Sequence, residues 1–255
     1  MRKLDRAPAI RPANWVQVAQ SAVPDAAAFQ QKAQAFEALP LTDPTRRAGF
    51  TAYAPEVLPK RNGRPFFNPL WGQYKEPIAK ISHDQCAYCE CSLNSKRVQQ
   101  VEHFKPKSLF PLSAYDWDNY LLACGGCNGP KSDKWPQNGD YLRPDDPAFD
   151  PSQHLTFDAN GDVVGMTPTA SQTIADFELK RKLLNDDRKL FINAIQEQLD
   201  LIVEFHALSA QRGEVLAREL LHRVNDPRKT PYSTALTQFV AVSISTRLPG
   251  VPLRT

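Results

Sequence analysis

The fold is decided by two short stretches of sequence, Cys86-Ala87-Tyr88-Cys89 and Cys124-Gly125-Gly126-Cys127. Two residues between paired cysteines allow both sulfurs to reach one ion from a tight turn, and two such pairs complete a tetrahedral site of four thiolates. The spacing therefore predicts a structural zinc ion, and its ligands are Cys86, Cys89, Cys124 and Cys127.

Redox-active cysteine pairs are the alternative interpretation of this spacing. A thioredoxin-type pair normally stands alone after a strand, whereas two pairs occur here. The chain has five cysteines, and without an export signal this number favours metal binding over disulfides. Cys91 falls outside the first pair, and we interpret it as a spare thiol.

Composition places the chain among folded proteins without naming its partner. Of its 255 residues, 42% are hydrophobic and 23% are charged, which is enough for a real core. The net charge of +3 is compatible with nucleic-acid binding but is no argument for it. The basic residues at the start are not followed by an apolar run, and no stretch is long enough to cross a bilayer. We expect a cytoplasmic protein.

Pattern changes along the chain predict three regions. Residues 1–75 indicate an N-terminal arm with a short helix at 25–38, and residues 76–145 hold nearly all the reactive side chains. Residues 146–255 indicate loops and a hairpin at Asn160-Gly161, followed by helices. Apolar residues recurring at three- and four-residue steps predict these helices at about 184–205, 213–224 and 230–246.

The candidate chemistry lies between the two cysteine pairs and just after the second. Val101-Glu102-His103-Phe104-Lys105 alternates as a strand does, which would set Glu102 and His103 on opposite faces. Asn119 follows, and Asn128 comes directly after Cys127 at the expected start of a helix. A lone strand histidine is more often structural than catalytic. The position of His103 between the cysteine pairs and beside Glu102 favours catalysis.

This order of acidic residue and histidine, asparagine, and CxxC-Asn with a nearby lysine resembles the HNH nuclease family. The resemblance implies an α+β fold, in which a zinc-stapled ββα-metal (HNH) nuclease core sits within a largely helical surround. It also implies that His103 is the general base, that Asn119 orients it, and that Glu102 and Asn128 bind the catalytic divalent metal. Asn128 stands where the family name has histidine, and Glu102 stands where aspartate is commoner.

The implied chemistry is consistent with the residue types. Phosphodiester hydrolysis needs an activated water, which a neutral histidine can deprotonate near pH 7. Carboxylate and amide oxygens suit Mg²⁺ or Mn²⁺, whereas four thiolates suit zinc. The candidate phosphate contacts are Lys105, Lys107 and Lys131. Nearby aspartates offset these lysines, so the sequence does not predict a strong basic patch.

The resemblance extends beyond this block. The opening MRKLDR, the string CAYCE at 86–90, the block YDWDN at 115–119 and residues 182–190 are similar to the HNH nucleases of bacterial Septu and retron anti-phage systems. This similarity implies an effector of anti-phage defence that works with an ATPase partner of the ABC or SMC-like kind. It also implies a nucleic-acid substrate, with DNA favoured over RNA.

Two alternatives remain open on the sequence alone. The first is a ribonuclease effector on the same scaffold, because a phosphate-centred site ignores much of the sugar. The second is a catalytically inactive, zinc-stabilised nucleic-acid-binding or adaptor protein. That interpretation would predict a replaced histidine, and His103 is present.

Overall fold

The computed structural model describes residues 1–6, 11–95, 98–158, 160–226, 228 and 230–252. Its N-terminal part holds four short helices: α1 Trp15–Gln20, α2 Ala26–Glu37, α3 Pro44–Ala48 and α4 Phe50–Tyr53. α2 is the helix predicted at 25–38, and Asp25 caps it by accepting the backbone N–H groups of Ala27 and Ala28. The sequence predicted one helix here because α3 and α4 are too short for a periodic pattern.

A small exposed hairpin follows these helices. β1 Lys60–Arg61 pairs antiparallel with β2 Arg64–Pro65. The turn residues Asn62 and Gly63 both have positive φ, as a two-residue type I′ turn requires. We call residues 60–65 the basic hairpin. The chain then passes through a 3₁₀ turn, Leu70–Tyr74, into α5 Lys75–Ile81.

Two strands and a helix lie at the centre of the chain. β3 Gln100–His103 pairs antiparallel with β4 Tyr120–Ala123, so that His103 is opposite Tyr120. α6 Gly125–Lys131 follows β4 directly. The helix therefore begins inside the second cysteine pair, earlier than the expected start after Asn128. β4 is buried along its whole length, because α5 also packs against it.

The third pair of strands is the hairpin predicted at Asn160-Gly161. β5 Leu155–Phe157 pairs antiparallel with β6 Val163–Gly165, and Gly161 has positive φ in the connecting turn. α7 Pro168–Asp176 follows, with Thr167 as its N-cap. Gly165 allows α7 to pack closely on β6, because an added Cβ would lie 2.7 Å from the backbone nitrogen of Ser171. The predicted hairpin is confirmed.

The C-terminal part is a bundle of three helices, α8 Lys182–Leu208, α9 Ala210–Asn225 and α10 Ser233–Arg247, close to the predicted ranges. Its apolar core is separate from the core around the cysteines. α8 also carries leucines on its outer face, among them Leu183, Leu190, Leu201 and Leu208. Small sheets and many helices make the fold α+β, as predicted. Among the described residues, no helix has the length and apolar character needed to span a membrane.

Candidate active site

The four predicted zinc ligands come together in the structure. The sulfur atoms of Cys86, Cys89, Cys124 and Cys127 all lie within 4.8 Å of one another, and all four residues are buried. Cys86 and Cys89 lie on the turn before β3, and Cys127 lies in the first turn of α6. This set of buried soft donors fits a tetrahedral zinc ion. Cys91 is a free, half-buried cysteine outside that group.

Arg181 lies against this cysteine cluster, although no motif in the sequence pointed to it. One guanidinium nitrogen is 3.4 Å from Sγ of Cys127, and another is 3.6 Å from Sγ of both Cys89 and Cys124. A guanidinium beside thiolates offsets their negative charge and donates hydrogen bonds to sulfur. Arg181 comes 54 residues after Cys127 in the chain, so nothing local links them.

His103 is held in one orientation by three groups. Nε2 lies 3.1 Å from the carbonyl oxygen of Ala114. A carbonyl only accepts, so Nε2 carries the proton of the neutral ring and Nδ1 keeps the lone pair. The rings of Trp71 and Tyr120 meet the imidazole edge-on, with centroids 4.4 Å and 5.1 Å away. Burial, with a further contribution from Lys107, lowers the pKa of His103 to about 3. The ring is therefore neutral at pH 7.

Asn119 fixes the loop that supports His103 and does not contact the ring itself. Its amide oxygen accepts from the backbone N–H of Lys105, and its amide nitrogen donates to the carbonyls of Lys105 and Ser113. Ser113 precedes Ala114, whose carbonyl accepts from His103 and also from the Tyr120 hydroxyl. Asn119 thus acts on the imidazole through the 105–114 loop.

Glu102 is buried beside a buried lysine. Its Oε1 forms an ion pair with Nζ of Lys131, and the same ammonium donates to the backbone carbonyl of His103. Burial raises the pKa of Glu102 to about 7, although the charge of Lys131 opposes this shift. Burial likewise lowers the pKa of Lys131 against the effect of Glu102. Oε1 of Glu102 therefore has the Lys131 ammonium as its partner in this structure.

Glu102, His103 and Lys131 share one pocket of about 270 Å³, which we call the His103 pocket. Its lining includes Trp71, Glu102, His103, Lys107, Asn128 and Lys131. The strand pattern predicted opposite faces for Glu102 and His103. Both line this pocket nonetheless, because β3 ends at His103 and the chain bends there.

The remaining predicted residues differ in their exposure. The amide nitrogen of Asn128 donates to Gln100 at 2.8 Å, so its amide oxygen remains an acceptor at the pocket. Lys107 lies over the Trp71 ring and Lys105 over the Phe110 ring, at 5.5 Å and 5.7 Å from the centroids. Lys131 is only 1% exposed and is engaged by Glu102. The phosphate contact predicted for Lys131 stays a prediction, and in this structure its ammonium is paired with Glu102.

The pocket combines hard oxygen acceptors, a neutral imidazole and partly exposed cations. Oxygen acceptors can hold a divalent ion such as Mg²⁺, and an imidazole with a free lone pair can take a proton. Sequence reasoning missed Trp71, which closes one side of the pocket. It comes 32 residues before His103 and belongs to no motif with it.

Comparison with known proteins found two relatives. A 67-residue segment is 39% identical to the Septu protein PtuB of Bacillus thuringiensis, covering 25% of this chain. The match spans about a quarter of that relative's own length (26%). Over 222 residues the chain is 22% identical to the Septu protein PtuB of Bacillus mycoides (strain KBAB4), covering 68% of this chain and 75% of the relative. No protein-family model matches the chain. Through these two matches, the chain is related to the Septu PtuB proteins.

Proposed function

We propose that this chain is a metal-dependent HNH endonuclease that hydrolyses phosphodiester bonds of nucleic acid, with DNA favoured over RNA. The observation that carries the proposal is the His103 pocket. It brings Glu102, His103 and Asn128 together on two antiparallel strands and the helix that follows them. The buried cysteine cluster at the junction of these elements supports a structural zinc ion that ties them together.

The general base in this proposal is His103. Because Nε2 donates to the Ala114 carbonyl, Nδ1 is the atom that accepts a proton from water. An approaching phosphate would raise the pKa of the imidazole through its negative charge and would make it a stronger base. Asn119 is a positioning residue, since it holds the loop that carries Ala114.

The catalytic ion in this proposal is Mg²⁺ or Mn²⁺. The residues that would hold it are Glu102 and Asn128, whose acceptors are a buried carboxylate, paired with Lys131 in this structure, and an amide oxygen. Such an ion supplies charge stabilisation to the phosphate and to the leaving oxygen. Lys107 adds a cation at the rim of the pocket and would orient the substrate phosphate.

The biological role we propose is that of an effector in Septu-type anti-phage defence, working with an ATPase partner. Similarity to two Septu PtuB proteins supports this role, together with the resemblance of the sequence motifs. The partner would restrain or license cleavage, so the isolated chain need not be active.

The experiment that tests this function is a cleavage assay on duplex DNA, single-stranded DNA and structured RNA. Each substrate is incubated with Mg²⁺, with Mn²⁺ or with neither ion, in the presence and absence of any ATPase encoded beside the gene. Omitting the ion is better than chelating it, because zinc then stays in place. We expect His103→Ala to slow cleavage by about 10²–10⁴-fold. His222→Ala, an exposed helix histidine outside the pocket, serves as the matched control.

The outcomes separate the three interpretations. Metal-dependent cleavage of DNA that is lost only in His103→Ala supports the nuclease. Preferential cleavage of RNA would make the chain a ribonuclease on the same scaffold. If neither the wild type nor its complex cuts any substrate but duplex DNA is bound, the chain is a binding or adaptor protein and the hydrolase proposal fails.

A further inference from the structure

The basic hairpin presents three cations in a fixed arrangement. Lys60 and Arg61 lie on one strand and Arg64 on the other, with Arg61 directly opposite Arg64. The side chains of Arg61 and Arg64 are exposed, and Lys60 stands beside them on the same strand as Arg61. Because Asn62 and Gly63 adopt the positive φ values of a tight turn, the strands are joined by the shortest common connection. The three charges therefore lie on a paired two-stranded hairpin and not on an irregular loop.

These three cations have no counter-ion within the described part of the chain. None of the ion pairs, hydrogen bonds or ring contacts formed there involves the side chains of Lys60, Arg61 or Arg64. By contrast, Arg46 is buried and donates to backbone carbonyls, and Lys32 is paired with Glu56. Like charges directly opposite one another on paired strands are destabilising. The Arg61–Arg64 pair thus destabilises the hairpin, and an external anion bound between the two guanidinium groups would reduce their repulsion.

The hairpin is anchored close to the His103 pocket. Phe67, two residues after it, is buried against Phe50 and Tyr115. The chain then reaches Trp71, whose ring touches His103. Arg64 and Trp71 are seven residues apart in the sequence, so their Cα atoms are separated by at most about 25 Å. One helical turn of duplex DNA is about 34 Å long.

We propose that the basic hairpin binds phosphates of duplex nucleic acid within about one helical turn of the bond held at His103. The major groove of DNA, about 12 Å wide, admits a two-stranded β-ribbon. Phosphates on both walls of a groove would face Arg61 and Arg64. The placement relative to the cleaved bond rests on the proposed nuclease function, whereas duplex binding by the hairpin does not.

The test measures binding separately from hydrolysis. Binding of a fluorescent duplex of about three helical turns is followed by anisotropy at several salt concentrations, in a His103→Ala background that prevents cleavage. The hairpin variant is K60Q/R61Q/R64Q. The matched control is K180Q/K189Q/R212Q, which removes the same charge from exposed positions elsewhere. Zinc content and helical circular dichroism verify that both variants are folded. Hydrolysis of bis(p-nitrophenyl) phosphate, too small to reach the hairpin, is measured with His103 intact.

We expect the slope of log K against log salt to become shallower by about 2–3 in the hairpin variant, because each phosphate that the protein neutralises adds roughly 0.9 to the slope. The control variant should have a slope close to that of the parent protein. Hydrolysis of the small ester should be unchanged in the hairpin variant and in the control. A slope and affinity equal to those of the control, or no duplex binding by the parent protein, would overturn the hairpin proposal. Loss of binding in the hairpin variant of a protein that hydrolyses nothing, either alone or with its ATPase partner, would support the hairpin while refuting the nuclease.

Discussion

Lys131 is the most deeply buried charged residue in the His103 pocket. Its ammonium is buried between the Glu102 carboxylate and the His103 carbonyl, so it occupies the region where the proposed divalent ion would bind Glu102. The divalent ion must therefore displace the Lys131 ammonium from the Glu102 carboxylate when it binds. The ion pair would hold the carboxylate in place until the metal and substrate arrive.

Replacing Lys131 with methionine should make stability depend on the divalent ion. The substitution leaves a buried carboxylate without its partner, at a cost of about 3–5 kcal/mol. Mn²⁺ should recover part of that loss, because it then supplies the missing positive charge. Thermal unfolding with and without Mn²⁺ measures both effects. Lys105→Met, at a lysine that lies over the Phe110 ring, should show little of either. An equal response to Mn²⁺ in wild type and variant would contradict the inference that the ion binds where the Lys131 ammonium lies.

At this scale the sequence predicted which side chains lie near one another better than how they are held. Glu102, His103 and Asn128 were selected by their order in the chain, and the structure brings them to one pocket. The Ala114 carbonyl, Trp71 and Arg181 were not selected, because each reaches the site through tertiary packing. Nothing in the residue type of a backbone carbonyl marks it as the partner of an imidazole.

The elements show the same division between local signals and long-range contacts. Asn160-Gly161 predicted a hairpin and the structure confirms it. Asn62-Gly63 carries the same turn signal. It did not lead to a predicted hairpin, because the nearby Pro59 and Pro65 indicate irregular chain. The three C-terminal helices were predicted closely, since long periodic segments are the easiest to recognise. How tightly they cross was not predictable.

The crossing of α8 and α9 depends on Gly213. A Cβ added there would overlap the Cβ and backbone of His206, so Gly213→Ala should destabilise the bundle by about 1–3 kcal/mol. Gly72→Ala is the control, because nothing lies within 4 Å of its added Cβ. Urea unfolding followed by helical circular dichroism measures the difference. Equal stability of the two variants would mean that α8 and α9 separate at no cost.

For the whole molecule, the core that contains the cysteines and the core of the three-helix bundle predict different responses to zinc removal. All four tryptophans, Trp15, Trp71, Trp117 and Trp135, belong to or pack against the core that contains the cysteines. The core of the three-helix bundle contains none of them. Tryptophan fluorescence therefore reports on the cysteine region, whereas α8, α9 and α10 supply about half of the α-helical residues that circular dichroism detects.

Removing the proposed zinc ion with a high-affinity chelator should shift tryptophan emission to longer wavelength and abolish the proposed cleavage, while the bundle's share of the helical signal, about half, persists. Without the ion, four thiols are left buried together, and the turn before β3 is no longer linked to α6 through metal–sulfur bonds. The same chelator saturated with zinc beforehand is the control. Simultaneous loss of both signals would show that the two cores unfold as one cooperative unit.

The length of α8 has a mechanical consequence. The helix starts at the residue after Arg181, whose guanidinium touches the cysteine cluster, and runs for 27 residues, or about 40 Å. Its far end carries Leu208, which is 84% exposed. α8 is thus a long, rigid element with one end beside the cysteine cluster. A tilt of about 5° would move the Leu208 end by roughly 3.5 Å over that 40 Å length, so a partner that displaces this end would apply torque beside the cysteine cluster.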